Sequence, residues 1–157
     1  MAAAGPKYNS DMVQPDQALQ RFKQGYSCSQ AVFSVLAEPL GIETGTALRV
    51  ASGFGAGIAR SAETCGCVTG AIMAIGLRQP DVSPEQNRAE REKIYEISRR
   101  LMHEFAERNG STRCRELMGC DLGTPEGQEE AQRQDLFRLR CTKFVRDAVE
   151  IVNQLVP

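Results

Sequence analysis

The chain has 157 residues, enough for one domain with a substantial core, and its apolar residues (41%) and charged residues (25%) are typical of a globular protein. The formal net charge is −1, Trp is absent and aromatic residues are only 6%, which excludes nucleic-acid binding by the whole domain. The longest apolar stretch, residues 65–77, is shorter than the ~20 residues that cross a bilayer, so we expect no membrane span.

The N-terminal part of the chain has helical periodicity, and the alternating pattern of β-strands is absent. We expect residues 1–10 to be disordered and residues 12–25 to form a first helix. Ser27 and Gln30 have the spacing of a capping box, which places Cys28 at the first position of a second helix. A short third helix is predicted over residues 44–51.

Residues 52–60 carry glycine at every second position from Gly53 to Gly57, which predicts a loop because glycine loses much entropy inside a helix. No strand precedes this G-x-G-x-G pattern, so it is not a dinucleotide-binding fingerprint, and a tight turn is favoured over a phosphate site. Beside the loop, Arg60, Ser61 and Glu63 are candidates to line a pocket.

The fourth predicted helix, residues 65–77, has small residues at every fourth position, namely Gly66, Gly70 and Ala74. Residues spaced by four share one face of a helix, so these three form a smooth surface for a closely packed neighbour. That neighbour is either another helix of the core or a second copy of the chain in a homodimer.

The fifth predicted helix is the longest, with a cap signature from Ser83 to Gln86 and a stop at Gly110. At ~1.5 Å per residue its length is about 39 Å. A short helix after Ser111 or Thr112, a polar helix at Thr124 and a last helix over residues 142–155 complete the prediction. We therefore expect one all-α domain over residues 1–157, a bundle of about six to seven helices with a long central helix.

The six cysteines are the main chemical signal of the chain. The N-terminal residues show no signal-peptide pattern, which predicts a cytoplasmic protein, and thiols are kept reduced there. Four cysteines lie at or beside a predicted helix start: Cys28, Cys65, Cys114 and Cys141. A helix N-terminus presents unpaired N–H groups and partial positive charge, which stabilise the thiolate that binds metals and attacks disulfides. The alternative for any single cysteine is apolar packing.

Several other kinds of site are unsupported by the spacing. The chain has no Cys-x-x-Cys, no zinc-finger spacing and no haem-attachment motif. The lone His103 is predicted to be solvated, and Cys120 is predicted to lie in a loop outside the site. Cys67 would be turned by roughly 200° from Cys65 around a helix axis, so we expect only Cys65 to face the site as a reactive thiol with a lowered pKa.

Four separated segments together resemble the redox-active proteins named for their C…GCAxxG…C…C cysteine pattern. The segments are YSCSQAVF, ASGFGAGIARSAETCGCVTGAIMAIGL, GSTRCRELMGCDL and RCTKFVRDAVEIV, which extend over most of the chain from about Ser27. The resemblance implies that the family's four cysteines are Cys28, Cys65, Cys114 and Cys141. Cys67 stands where the pattern has a small residue, and it is the substitute candidate for Cys65. The family's relation to the non-haem part of split-Soret cytochromes implies an iron–sulfur cluster.

Three functions follow as hypotheses. The leading one is a small cytoplasmic redox protein in which Cys28, Cys65, Cys114 and Cys141 ligate a 2Fe-2S cluster, without haem, and exchange electrons with a partner oxidoreductase. Four thiolates are the ordinary ligand set of such a cluster. The second is a thiol–disulfide or oxyanion reductase that uses Cys28 and Cys65 as a catalytic pair. The third is a structural zinc protein with the same four ligands.

Overall fold

A computed structural model describes residues 12–157, so the prediction of disorder for residues 1–10 lies outside the described residues. The described part forms eight α-helices and no strand, which confirms the predicted all-α fold. The helices are α1 (Pro15–Lys23), α2 (Cys28–Ala37), α3 (Thr44–Ala51), α4 (Gly66–Gly76), α5 (Pro84–Asn109), α6 (Cys114–Met118), α7 (Pro125–Arg133) and α8 (Thr142–Leu155).

Local capping signals fix the helix ends much as the sequence predicts. Ser27 and Gln30 form a reciprocal capping box at the start of α2, and Ser83 and Gln86 form a second one at the start of α5. Gly110 ends α5 in the left-handed conformation, which glycine adopts without the clash of a Cβ atom. Each cap satisfies backbone groups that the helix itself leaves unpaired.

Helix α2 is the innermost helix, with eight of its ten residues buried. It packs against α4 through the predicted smooth face, since a Cβ atom added to Gly70 would lie 2.9 Å from the carbonyl oxygen of Ser29. That face is therefore buried inside the chain. A homodimer stays a prediction, but its interface would have to be a different surface.

The predicted long helix α5 is confirmed from Pro84 to Asn109. It packs against α4 and α8, and Ser98, Leu101 and Phe105 are its buried residues. None of the helices built by residues 12–157 is both long and apolar enough to cross a membrane.

The buried apolar residues form two clusters. The larger one contains residues of helices α1 through α5 and of α8, and it includes Cys65 and Cys67. The smaller one lies under α6 and α7 and is formed by Cys114, Met118, Leu122, Ala131 and Leu136. Cys141 packs against both clusters, so the cysteines lie where the two cores meet.

Candidate redox site

Four cysteines line a single cavity of about 730 Å³, although they are far apart in the sequence. They are Cys28, Cys65, Cys114 and Cys141. The structure thus brings together the same four residues that the helix-start pattern and the resemblance select. All six cysteines of the chain are free thiols.

Cys28 enters the cavity from the first turn of α2. Ser27 caps this helix, and its Oγ accepts a hydrogen bond from the backbone N–H of Gln30 at 3.4 Å. The side-chain amide oxygen of Gln30 in return accepts a hydrogen bond from the backbone N–H of Ser27, at 3.0 Å. This capping box fixes the direction in which Cys28 leaves the backbone.

A short backbone ladder places Cys65 beside Cys114. The N–H of Cys65 donates to the carbonyl oxygen of Thr112 at 2.8 Å, and the N–H of Cys114 donates to that of Glu63 at 2.6 Å. An isolated antiparallel bridge pairs Thr64 with Arg113 between them. Because these bonds join two segments of backbone, the relative positions of the two cysteines do not depend on side-chain packing alone.

The prediction that Cys141 lies just ahead of a free helix N-terminus is wrong, because the helix does not begin there. The helical conformation begins at Leu136 and passes through a π-helical segment, Phe137–Cys141, directly into α8. Cys141 therefore lies inside a continuous helical run, where no unpaired N–H groups surround it. Its Sγ instead lies 3.5 Å from the Sδ of Met118. A π turn inside a helix is frequent at functional sites.

The remaining cysteines do not line the cavity, as predicted for Cys120. Cys67 is fully buried behind the site, and its thiol still reaches Cys28 and Cys65 through hydrogen bonds. The predicted rotation of 200° between Cys65 and Cys67 fails because Cys65 is the N-cap of α4, with an extended backbone, and precedes the first helical residue. Both thiols consequently point toward Cys28.

Cys28 is the thiol whose pKa is lowered, well below the ordinary value. The main causes are hydrogen bonds from the thiols of Cys65 and Cys67, and backbone hydrogen bonds at Ala56 and Ser29 act in the same direction. Burial raises the pKa and opposes them. The Cys28 sulfur is therefore the acceptor in the hydrogen bonds that join the three thiols.

The other thiols of the cavity have raised pKa values, so the predicted lowering for Cys65 is wrong. The pKa of Cys65 is raised well above the ordinary value, chiefly because its thiol donates to Cys28. Burial raises the pKa of Cys114 to about 12, and burial together with the negative charge of Cys28 raises that of Cys141.

Two glycines allow the thiols to approach one another. A Cβ atom added to Gly66 would lie 2.6 Å from the Sγ of Cys28, and one added to Gly57 would lie 2.7 Å from the Cβ of Cys114. Real Cβ atoms do not approach so closely, and carbon–carbon contacts are optimal at about 3.5–4.0 Å. The site therefore requires the absence of a side chain at both positions.

The predicted glycine loop is a left-handed backbone segment rather than an irregular loop. The five consecutive residues 56–60 have φ between +51° and +70°, and four of them are not glycine. Left-handed geometry costs a non-glycine residue roughly 1–2 kcal/mol. Backbone hydrogen bonds hold it in place, among them Ala59 N–H to Gly53 O at 2.9 Å and Glu63 N–H to Gly57 O at 2.9 Å. The segment forms one wall of the cavity.

The other candidate residues divide between the cavity and the surface. Arg60 lines the cavity, whereas Ser61 and Glu63 do not. Glu63 instead accepts hydrogen bonds from Arg113 at 3.2 Å and Arg115 at 3.3 Å. His103 is exposed on α5, as predicted. The aromatic lining from Phe137 was missed, because nothing in the sequence indicates the π turn that carries it.

Across residues 12–157, no group of three or more His, Cys, Asp or Glu side chains is arranged to hold a single metal ion. A structural zinc site takes four donors around one ion. What relates the four thiols in this structure is the cavity that they line.

The comparison with protein families decides which family this is. Residues 26–155 match the family model described as "Putative redox-active protein (C_GCAxxG_C_C)". The chain belongs to this family. No curated protein and no solved structure matches it. The family's redox-active character therefore applies to the chain, and the cavity with its four cysteines is the candidate for the redox site.

Proposed function

We propose that the protein is a small cytoplasmic electron-transfer protein whose Cys28, Cys65, Cys114 and Cys141 ligate a 2Fe-2S cluster. The observation that supports this is the convergence of these four thiols on one cavity from four separate elements. Four thiolates are the usual ligands of such a cluster, and dispersed ligands serve equally well when the fold gathers them.

The residues of the cavity fit a cluster in two respects. Cys28 and Cys65 pack with the larger core and Cys114 with the smaller one, so the ligands come from both cores. A 2Fe-2S cluster takes two thiolates on each of two irons, four in all, and four cysteines line the cavity. Gly57 and Gly66 leave the space next to two of the thiols free of side chains. When bound, the cluster would supply one-electron transfer.

The chain's own groups would set the conditions of binding. Backbone hydrogen bonds at Ala56 and Ser29 stabilise negative charge on the Cys28 sulfur. The apolar residues behind the thiols exclude water from the larger core. Arg60 and Gln128 line the more polar part of the cavity. Because Cys67 is fully buried and does not line the cavity, we propose Cys65 rather than Cys67 as the ligand.

A second candidate is a thiol–disulfide enzyme with Cys28 as the nucleophile. It is favoured by one observation, the hydrogen bonds that join the Cys28 thiol to the thiols of Cys65 and Cys67 and lower the pKa of Cys28. In this function the Cys28 thiolate would attack a disulfide substrate and form a mixed disulfide, releasing one thiolate. The Cys65 thiol would then displace the second, leaving a Cys28–Cys65 disulfide and a reduced substrate. The structural zinc hypothesis, with the same four ligands, stays a prediction.

Anaerobic reconstitution with ferrous iron, ferric iron and sulfide tests the leading proposal. We expect visible absorption and one cluster per chain, lost in each of Cys28→Ser, Cys65→Ser, Cys114→Ser and Cys141→Ser. Cys67→Ala is the matched control, because this variant restores the small residue of the family pattern and leaves the four ligands intact. Retention of the spectrum in two or more of the serine variants would show that the ligand set is wrong.

Reaction of the reduced protein with a small disulfide tests the second candidate. Under this function the metal-free reduced protein would reduce 5,5′-dithiobis(2-nitrobenzoic acid) and finish with an intramolecular disulfide between Cys28 and Cys65. Peptide mapping would identify that bond, and Cys65→Ser would stop at the mixed disulfide. Formation of mixed disulfides with the reagent alone, and no Cys28–Cys65 disulfide, would exclude this function.

A further inference from the structure

The cavity is much larger than a metal–sulfur core requires. Its volume of about 730 Å³ falls within the range of roughly 300–1,000 Å³ that is usual for pockets that bind small organic molecules. A 2Fe-2S cluster contributes only four atoms besides its cysteine sulfurs. Space therefore remains beside the thiols for a second occupant.

The lining away from the thiols is aromatic and apolar. Phe22, Tyr26, Phe137 and Phe144 contribute ring surfaces. Tyr26 and Phe137 are also 39% and 37% exposed, so the ring surfaces continue from the cavity to its rim. An aromatic or apolar ligand body would remove this surface from water, at roughly 25 cal/mol for each Å² buried.

One positive charge lies at this rim. Of the lining side chains contributed by residues 12–157, Arg60 is the only one with a fixed charge, and no carboxylate lines the cavity. Arg60 is exposed and makes no ion pair with any carboxylate of that part of the chain. The principal charges acting on Cys114 and Cys141 come from other cysteines and from Arg115 and Arg140, so Arg60 is not their counter-charge.

The backbone that carries Arg60 is strained. Arg60 has φ +61° and ends the run of left-handed residues, and the cavity wall includes Ala56 and Ala59 of the same run. Its N–H donates to the carbonyl oxygen of Gly55 at 3.3 Å. Strained backbone persists where the surrounding structure over-determines it, and it concentrates at ligand clamps and active sites. Backbone hydrogen bonds thus fix the backbone of Arg60 at the rim of the cavity.

We infer that the cavity binds a small organic anion with an aromatic or apolar body, which pairs with Arg60 and packs its body against Tyr26 and Phe137. The ligand would lie beside the proposed redox centre. The inference rests on the proposed function only in this statement about the neighbouring redox centre. Binding itself needs the cavity, its rings and Arg60. It can therefore be measured in the metal-free reduced protein as well as in the reconstituted one.

Fluorescence titration with 8-anilinonaphthalene-1-sulfonate, a ring system with one negative charge, tests the inference on the full chain. We expect saturable binding with one site per chain. Arg60→Gln should weaken it about five- to tenfold, as expected for one charged hydrogen bond at a partly exposed site. Arg49→Gln, which removes an exposed arginine of α3 that does not line the cavity, is the matched control and should leave the affinity unchanged.

A neutral probe and a second pair of variants separate charge from ring packing. N-phenyl-1-naphthylamine lacks the sulfonate, so its affinity should be the same in wild type and Arg60→Gln. Phe137→Ala should weaken both probes, whereas Leu139→Ala, an exposed neighbour outside the cavity lining, should weaken neither. Far-UV circular dichroism of every variant checks that the fold is retained.

The inference is overturned if the sulfonate probe binds at several sites, fails to bind, or binds Arg60→Gln as tightly as wild type. It is separable from the proposed function. If the protein cannot be reconstituted but binds the sulfonate probe in an Arg60-dependent way, the proposed cluster is wrong and the ligand site stands. If the protein shows a normal cluster spectrum but no Arg60-dependent binding, the ligand site is wrong and the cluster stands.

Discussion

Replacement of Gly66 by alanine tests how the site is assembled. Gly66 is the first residue of α4, directly after Cys65, and it faces α2. A methyl group at this position would lie 2.6 Å from the Sγ of Cys28, 3.0 Å from the carbonyl oxygen of Phe54 and 3.1 Å from the Cβ of Ser29. Two of these three atoms belong to α2, so the methyl group would press on the helix that carries Cys28.

The magnitude follows from two opposing effects. Carbon contacts are optimal at about 3.5–4.0 Å, so the Cys28 side chain must move by about 1 Å, and overpacking of this kind costs about 1–3 kcal/mol. Alanine in place of glycine returns at most about 1 kcal/mol of helix propensity, and less at a first helical position. We expect Gly66→Ala to lower the free energy of unfolding by about 2 kcal/mol. For a chain of this size the melting temperature would fall by roughly 4–8 °C.

Urea unfolding and thermal unfolding of the metal-free reduced protein measure this change, with two glycines of the same helix as controls. Gly76→Ala should raise stability by less than about 1 kcal/mol, because nothing lies within 4 Å of the added Cβ atom and Gly76 is the last residue of α4. Gly70→Ala should destabilise, because its Cβ atom would lie 2.9 Å from the backbone oxygen of Ser29. Since Gly70 does not contact a thiol, only Gly66→Ala should also change the alkylation rate of Cys28.

The reasoning is refuted if Gly66→Ala is as stable as wild type and alkylates Cys28 at the wild-type rate. In that case α2 and α4 would not be packed at the distance that brings Cys28 to Cys65. The same conclusion follows if Gly76→Ala destabilises the protein as much as Gly66→Ala does.

Three further changes have defined outcomes. Gly57→Ala should lower the free energy of unfolding, measured in urea, by at least about 2 kcal/mol, because Gly57 has φ +70° and its Cβ atom would lie 2.5 Å from a backbone nitrogen. Gly53→Ala, which has open space around its added Cβ atom, should not lower it. Cys120→Ser should leave the spectrum of the reconstituted protein unchanged, since Cys120 does not line the cavity; a lost spectrum would show that it is a ligand. The stability of the metal-free reduced protein should fall as the pH rises from about 8.5 toward 12. The folded pKa of Cys114 is raised to about 12, above the unfolded value of about 8.5, so in that range only the unfolded state loses this proton. Cys114→Ala should reduce the slope of unfolding free energy against pH, and an unchanged slope would contradict the assigned burial of that thiol.

The helices could be predicted because their signals are local. The capping box of Ser27 and Gln30 and the stop at Gly110 involve neighbouring residues, and the same bonds appear in the structure. The position of Cys28 at the first turn of α2 follows directly from them. Convergence of the four cysteines required the pattern of helix starts together with the resemblance, since spacing alone does not say which helix ends meet.

The chemistry of the individual thiols could not be predicted, because it depends on contacts between distant segments. The pKa of Cys28 is lowered by Cys65 and Cys67, which lie on another element, so the field of a nearby helix end was not decisive. The π turn before Cys141 and the left-handed run through Arg60 are also set by tertiary contacts. Neither has a local sequence signal comparable with a cap.

Native mass spectrometry of the anaerobically reconstituted protein tests the central claim most directly. It measures the mass of whatever each chain retains under non-denaturing conditions. The account predicts an increment equal to two irons and two sulfides in the wild type and in Cys67→Ala, and no such increment in Cys114→Ser or Cys141→Ser. An increment of a single metal ion, or of no inorganic atoms with all six thiols still able to react, would contradict it.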